Sequence, residues 1–428
     1  MSTGNHALIE HIRAEIKARG PVPFAWFMQQ ALYHPEHGYY SSGRCAIGRR
    51  GDYFTNVSVG PIFGQFLAAQ FAQIWERLGK IDKFVLVEQG AHHGEFAHDV
   101  LESARKRWPD FFAALRYRIV EPFPILQDRQ LQTLAGFEDK VEWRDSIDAL
   151  ELFSGVHFSN ELLDAMPVHL IVSQCGSGIG ASTECTWLEK FVTLNGDMFG
   201  FVDQPIADQT LRDQLQKSPV QLAGYQTEVN LAALDWIYNV SRKLDRGYVL
   251  MIDYGYPRDE FFATHRSAGT LQVRAQHRLL QSPFDEIGHA DITAHVEWTS
   301  IAERSEACGF EVKGFTDQHH FITGILSKLA HDISQEDADP KTKRALQTLL
   351  HPEMLGRSFQ VLALGKNVDP TVRLSGFKFA RDARAKARRP RTNPCVRLSH
   401  DARSFTIWPI DKESAGGNNH SWLTRSVP

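Results

Sequence analysis

Apolar residues recur at helical spacing over 6–19, where Ile9, Ile12 and Ile16 share a face and Gly20 follows as a stop. That spacing predicts an amphipathic helix, and a second, shorter one over 24–32 after Pro21-Val22-Pro23. An aromatic turn spans 33–40, 41–59 reads as a glycine-containing loop, and a long helix is expected over 62–78. The pattern then changes. Phe84-Val85-Leu86-Val87 is a short continuous apolar run, as expected of a strand buried on both faces in a parallel sheet. A glycine turn and a helix to about Trp108 separate it from a second run, Tyr117-Arg118-Ile119-Val120, which ends at Glu121-Pro122. Strand, helix and strand in that order form a βαβ unit and predict an open parallel sheet. Further strands are expected over 141–143, 156–159 and 248–252, with crossover helices over 125–135 and 225–244.

Residues 166–218 break the alternation. Runs over 168–173, 186–194 and 198–202, the last two joined at Asn195-Gly196, carry a strong hairpin signal. They predict an inserted antiparallel subdomain over the ligand edge of the sheet. After Asp253 a polar loop is expected to about 290, then helices over 293–308 and 319–350 and a last strand over 359–364. The expected fold class is α/β: a doubly wound sheet with an inserted antiparallel subdomain and extra N-terminal helices. The expected division is an N-terminal segment (1–60), a first part of the sheet domain (61–165), the insert (166–218), a second part (219–366) and a disordered basic tail (367–428).

Composition narrows the function classes. With 43 % hydrophobic and 23 % charged residues the chain is an ordinary globular one. A net charge of −4 gives no electrostatic reason to expect nucleic acid as a partner. No apolar run is long enough to span a bilayer. Five widely spaced cysteines without a CxxC fit a reducing compartment, with Cys175 and Cys185 read as packed thiols. The N-terminal stretch mixes Glu10 and Glu15 with Arg13 and Lys17, which fits neither a secretory signal nor a transit peptide. A bacterial cytoplasmic location is the expectation. Oligomeric state is not legible.

The informative segment is Glu88-Gln89-Gly90-Ala91-His92-His93-Gly94-Glu95, which follows a buried strand and opens a helix. A dinucleotide fingerprint counted from Gly90 needs glycine at 92 and 95, where His92 and Glu95 stand. The pattern E-x-G-x-G-x-G used for S-adenosylmethionine is met at Glu88, Gly90 and Gly94 and missed at His92. The acid has a reason to be there: this cofactor carries an ammonium and a sulfonium, whereas a pyrophosphate would be repelled. Glu121, ending the second strand, can accept both ribose hydroxyls. Asp145 and Ser146, ending the third, would lie near adenine. Each acid alone is more simply a solvated loop residue. Together, at successive strand ends, they favour the cofactor reading.

Five stretches then carry a resemblance: 31–40 (ALYHPEHGYY), 51–55 (GDYFT), 160–167 (NELLDAMP), 252–256 (IDYGY) and 291–296 (DITAHV). In order and spacing they resemble the MidA-like family of methyltransferases over residues 20–366. The resemblance implies a class I methyltransferase fold, with S-adenosylmethionine held by Gly51, Asp52, Glu88, Gly90, Ala91, His92, Gly94 and Glu121. It also implies a protein substrate with arginine as the lead, since mitochondrial members methylate a protein arginine and assist assembly of respiratory complex I. His92 occupies a family glycine position.

Methyl transfer from a sulfonium needs a nucleophile held in line and little else. Asn160, Glu161 and Asp164 follow the fourth predicted strand and are the catalytic candidates, since a guanidinium calls for a carboxylate to orient it. Asp164 reads equally well as a helix N-cap. The 19 histidines include the pairs His34/His37 and His92/His93, but no cysteine or carboxylate is expected beside them at zinc-ligand spacing, so no metal is assigned. His277 and His295 are candidates for substrate contacts or for structural hydrogen bonding. A hydrolase lacks its G-x-S-x-G elbow. The leading expectation is an active methyltransferase. The alternative is a non-catalytic assembly factor that keeps the fold, favoured by His92.

Overall fold

The computed structural model describes residues 3–43, 55–175, 185–276, 278–329 and 340–380. Helices α1 (His6–Arg19) and α2 (Phe24–Tyr33) flank strand β1 (Val22–Pro23), and α3 (Ile62–Arg77) leads into β2 (Phe84–Gln89). Then follow α4 (Glu95–Arg107), α5 (Pro109–Ala114), β3 (Leu115–Val120), α6 (Pro124–Thr133), β4 (Val141–Arg144) and β5 (Phe153–Asn160). A second group comprises β6 (His169–Cys175), β7 (Cys185–Asn195), β8 (Met198–Pro205), α7 (Gln209–Leu215) and β9 (Gln226–Val229). The chain returns through α8 (Leu231–Lys243) to the long β10 (Leu244–Tyr256) and α9 (Arg258–Phe261). Short strands β11 (Gln272–Ala275), β12 (Arg278–Leu279), β13 (Asp291–Thr293) and β14 (Val296–Glu297) precede α10 (Trp298–Ala307) and β15 (Glu311–Asp317). Helices α11 (Gln318–Leu329) and α12 (Pro340–Leu350) and strand β16 (Phe359–Lys366) complete the order.

The main sheet runs β15-β16-β10-β5-β2-β3-β4, with β14 beside the end of β10. Strands β4, β3, β2, β5 and β10 are parallel, and β16 is antiparallel to both its neighbours. From β2 the chain winds outward through β3 and β4, then crosses back to β5. That reversal puts the topological switch between β2 and β5, and ligands of open α/β sheets bind outside the carboxyl ends there. Helices α3, α4 and α11 cover one face around Phe66, Phe71 and Phe158, and α8 and α10 cover the other around Trp236 and Trp298. Each fully buried Phe or Leu contributes about 1.5–3 kcal/mol relative to exposure. This is the doubly wound sheet the apolar runs predict.

The second sheet orders β1-β7-β6-β9, with β8 on β7, and the hairpin expected at Asn195-Gly196 joins β7 to β8. It draws strands from outside 166–218, because β1 and β9 pair into it. Together with α1, α2 and the β11–β13 sheet it encloses a second core that includes Leu8, Phe24, Phe27, Val192 and Ile292.

Five expectations change. The polar loop after Asp253 is instead a longer β10, a short helix and the β11–β13 sheet. The expected helix over 225–244 begins only at Leu231, where the Asn230 side chain caps it by accepting from Ala233 N, and 226–229 is strand β9. Strand β15 was not expected, since its polar-rich EVKGFTD sits at the sheet edge. Cys175 and Cys185 are not packed thiols: they face each other across β6 and β7 with Cα atoms 4.1 Å apart and form a disulfide. The chain also does not leave the fold at 366. Leu374 and Phe377 are buried, and Gln70 Oε1 accepts from Gly376 N at 2.9 Å. The basic residues beyond 380 lie outside the described residues. Among the described residues no helix is long and apolar enough to cross a membrane.

Candidate functional site

The β2 turn sets the first wall. Glu88, 4 % exposed, accepts the Tyr117 hydroxyl at 2.6 Å, and burial pushes its pKa up to about 8 against that bond. Gly90 sits at φ +81°, a left-handed backbone that favours glycine, whereas a Cβ there would only touch Leu162 Cδ1 at 3.4 Å. His92 holds a left-handed φ of +47°, a conformation costly to a residue with a Cβ. Its ring stacks on His93 at 3.6 Å. Gly94 caps α4 and lies against Gln130 and Leu134 rather than in the cleft.

At the end of β3, Glu121 is buried and accepts from Phe123 N at 3.0 Å and Gln130 Nε2 at 3.2 Å, and burial raises its pKa to about 7. Gln130 is fully buried and also donates to the His92 carbonyl (2.9 Å) and accepts from Trp143 Nε1 (2.8 Å). It ties the ends of β2, β3 and β4 together, yet nothing in its helical sequence context marks it out. Asp145 and Ser146 do not line the cleft. Asp145 accepts from Gln127 and Ser146 caps the next turn, while Ile147 lines the cleft in their place.

At the end of β5, Glu161 also adopts a left-handed backbone, φ +52°. Its Oε1 accepts from Asn160 Nδ2 at 2.9 Å and Asn56 N at 3.4 Å, and Asn56 Nδ2 donates to Asn160 Oδ1 at 3.0 Å. Burial and the nearby Asp253 and Asp291 carboxylates raise the Glu161 pKa to about 8. Asp164 is buried behind the lining, its pKa raised by burial and by Asp253, Glu161 and Asp291. Tyr40 donates to Asp291 Oδ1 at 2.6 Å and Tyr33 to the Ala165 carbonyl at 3.0 Å.

These walls enclose one cavity of about 1120 Å³, running from Glu88, Gly90, Ala91, His92 and Glu121 past Asn160 and Glu161 to Tyr33 and Tyr40. Asp235, Trp236 and Asn239 of α8 line it too, and sequence reading missed them because they occupy one face of an ordinary amphipathic helix. Among the described residues no lysine or arginine lines the cavity. Two buried carboxylates at the strand ends suit a cation bearing a diol, and the absence of lining cations does not suit a pyrophosphate. Gly51, Asp52 and His277 lie outside the described residues. His295 is half-buried away from the cavity near Tyr254 and Tyr256, with its pKa lowered to about 4 chiefly by desolvation.

A carboxylate does stand beside one histidine pair. His92, His93 and Glu95 bring potential ligand atoms within 4.8 Å of one another. Arg129 Nη1 lies 2.9 Å from His93 Nε2. The guanidinium can only donate there, which fixes the proton of neutral His93 on Nδ1, the atom facing Glu95. A second cation on that nitrogen is disfavoured.

A family model described as "Putative S-adenosyl-L-methionine-dependent methyltransferase" matches residues 66–316. Among solved structures, a Burkholderia thailandensis protein bound to S-adenosyl-homocysteine is 32 % identical with a TM-score of 0.79, covering 89 % of this chain and 96 % of that one. Curated relatives include the human mitochondrial protein arginine methyltransferase NDUFAF7, 26 % identical over 88 % of this chain and 86 % of its own. The Drosophila melanogaster homologue is 23 % identical over 85 % of each. These names overturn the expected cytoplasmic location, since the relatives are mitochondrial. The N-terminal helix whose Glu10 and Glu15 argued against a transit peptide is a packed structural element, with Leu8, Ile9, Ile12 and Ile16 buried. The cofactor is S-adenosylmethionine, and the chain belongs to the MidA-like family of S-adenosylmethionine-dependent methyltransferases.

Proposed function

We propose that the enzyme methylates the guanidinium of an arginine in a protein substrate. The observation that carries this reading is the acidic end of the cavity. Glu161 lines it, with Asp164, Asp253 and Asp291 buried close behind and no lysine or arginine on the described lining. Such a pocket favours a cationic acceptor, and a carboxylate matches the paired N–H groups of a guanidinium. The relatives named as protein arginine methyltransferases support the same choice. The link to complex I assembly rests on the family resemblance alone.

Bound S-adenosylmethionine supplies an electrophilic methyl group on sulfur. In this reading Glu121 would accept the ribose hydroxyls, and Glu88 and the 90–92 turn would hold the methionine end. Glu161 pairs with two guanidinium N–H groups and localises the positive charge on them, which leaves the third nitrogen nucleophilic. Methylation of a guanidinium nitrogen would release one N–H proton, and Glu161 would take it. Its raised pKa suits it to hold that proton. Asn160 and Asn56 orient its other oxygen.

The test supplies labelled S-adenosylmethionine with two synthetic peptide pools, one carrying arginine and the other lysine at a fixed central position. Label on arginine, located by mass spectrometry, is the expected result. Label on lysine or on another residue type refutes the arginine reading.

A further inference from the structure

The amides of the turn that carries Glu161 converge on one side chain, while Asn230 Nδ2 donates to the Leu163 carbonyl at 2.8 Å. Asp253 on β10 is 1 % exposed and is not among the residues lining the cavity. Its Oδ2 accepts from Leu162 N at 3.1 Å, Leu163 N at 2.8 Å and, more weakly, Asp164 N at 3.4 Å. Its Oδ1 accepts from Tyr254 N at 2.8 Å. The preceding residue completes the set, because Glu161 N donates to the Ile252 carbonyl at 2.9 Å. Four successive amides, 161 to 164, are therefore gathered by two adjacent residues of β10. Consecutive N–H groups converge in this way when a left-handed residue stands at a turn, and they form a nest for an anion. Here the anion is the protein's own carboxylate.

Glutamate has no intrinsic preference for φ +52°. Something outside the turn must hold it there, and the three amides bonded to Asp253 are the largest group of bonds from a single side chain to the turn, beside Glu161 N to the Ile252 carbonyl and Asn230 to the Leu163 carbonyl. We infer that Asp253 is a positioning residue for methyl transfer: it clamps the 162–164 amides, fixes Glu161 in its left-handed conformation, and so aims the Glu161 carboxylate at the acceptor. This deepens the proposed function, resting on Glu161 as the group that orients the acceptor. Asparagine is a poor replacement for Asp253, because in either amide orientation its Nδ2 faces a backbone N–H, that of Tyr254 or those of residues 162–164.

The experiment compares wild type with Asp253→Asn and Asp253→Glu. Three quantities are read: S-adenosylhomocysteine affinity by calorimetric titration, kcat and KM for the arginine peptide pool, and hydrogen exchange of the 162–164 amides. For Asp253→Asn the cofactor product should bind within about twofold of wild type, since Asp253 does not line the cavity. Its kcat should fall at least tenfold, and exchange should quicken at least tenfold in that turn alone. Asp253→Glu keeps the charge but displaces the turn by a methylene, so its kcat should also fall tenfold with cofactor affinity kept. It carries the test if the asparagine variant does not fold. Wild-type kcat in either folded variant overturns the inference, as does a parallel loss of cofactor binding and turnover. A wild type that labels only the lysine pool sinks the arginine reading but leaves this inference open to the same comparison on that pool.

Discussion

Replacing Glu121 with glutamine separates what the cofactor needs from what the fold tolerates. The carboxylate is 5 % exposed and its pKa stands near 7 rather than the ordinary 4.5, chiefly through burial. The folded free enzyme therefore binds this proton more tightly than the unfolded chain. Stability associated with it is fully present below about pH 4.5 and is lost as pH rises through 7. At about 1.4 kcal/mol per pH unit, the interval from 4.5 to about 7 makes the ionised group cost about 3 kcal/mol. Glutamine removes that cost. It also sets an NH₂ group against either Phe123 N or Gln130 Nε2, a donor conflict worth about 1–3 kcal/mol. Gln130 is not free to flip, because Trp143 and the His92 carbonyl hold both ends of its amide. Glu121→Gln should thus be less stable than wild type at pH 5 and equal or more stable at pH 8, a change of up to about 3 kcal/mol between the two. Urea unfolding of the ligand-free protein at both values measures it. Titration at pH 8 should show S-adenosylhomocysteine bound roughly tenfold or more weakly, as charge-assisted bonds to the ribose become neutral ones. A stability difference independent of pH, together with unchanged affinity, would refute the reasoning.

Glu161→Gln should abolish transfer to the arginine pool while leaving S-adenosylhomocysteine affinity within twofold, and a normal methylation rate removes Glu161 from the chemistry. His92→Gly should change thermal stability by less than about 1 kcal/mol, since relief of the left-handed strain is offset by glycine's greater unfolded freedom and the lost ring contact. A loss above about 3 kcal/mol would show the ring to be a structural keystone instead. Reduction should destabilise the wild type by about 2–3 kcal/mol through release of the Cys175–Cys185 loop, whereas Cys175→Ser should unfold identically with and without reductant.

Much of the sheet was legible because its buried parallel strands are unbroken apolar runs, as in Phe84 to Val87. Edge strand β15 was not, since its partly exposed residues alternate without a clear period. In the site, Glu88, Gly90, His92, Glu121, Asn160 and Glu161 were readable from their places at strand ends, and all line the cavity. Asp145 was misplaced by two residues relative to the lining, because a polar turn residue can bond a neighbouring side chain as readily as a ligand. Gln130, Asn56 and Asp253 act through partners remote in sequence. The Asp253 bonds to the 162–164 amides span 89 to 91 positions, and no local pattern encodes contacts of that kind.

The hydroxyl of Tyr40 meets Asp291 across 251 positions, and that of Tyr33 meets Ala165 across 132. The Tyr33–Tyr40 segment leaves a ribosome before Ala165 and Asp291 do, and it waits for both before the acceptor wall can close. Contacts of such separation form late, after loop closure has been overcome. A nascent chain can complete β2 to β5 and their crossover helices well before that point. The wall at Tyr33 and Tyr40 then arises in a closing step of folding, with the second core exposed until β13 arrives. A polypeptide halted before residue 291 would keep the β2 turn yet lack a finished acceptor end. Competence for transfer in this sense requires the chain through β13, and the apolar faces of α1 and α2 are surface a chaperone would meet until then.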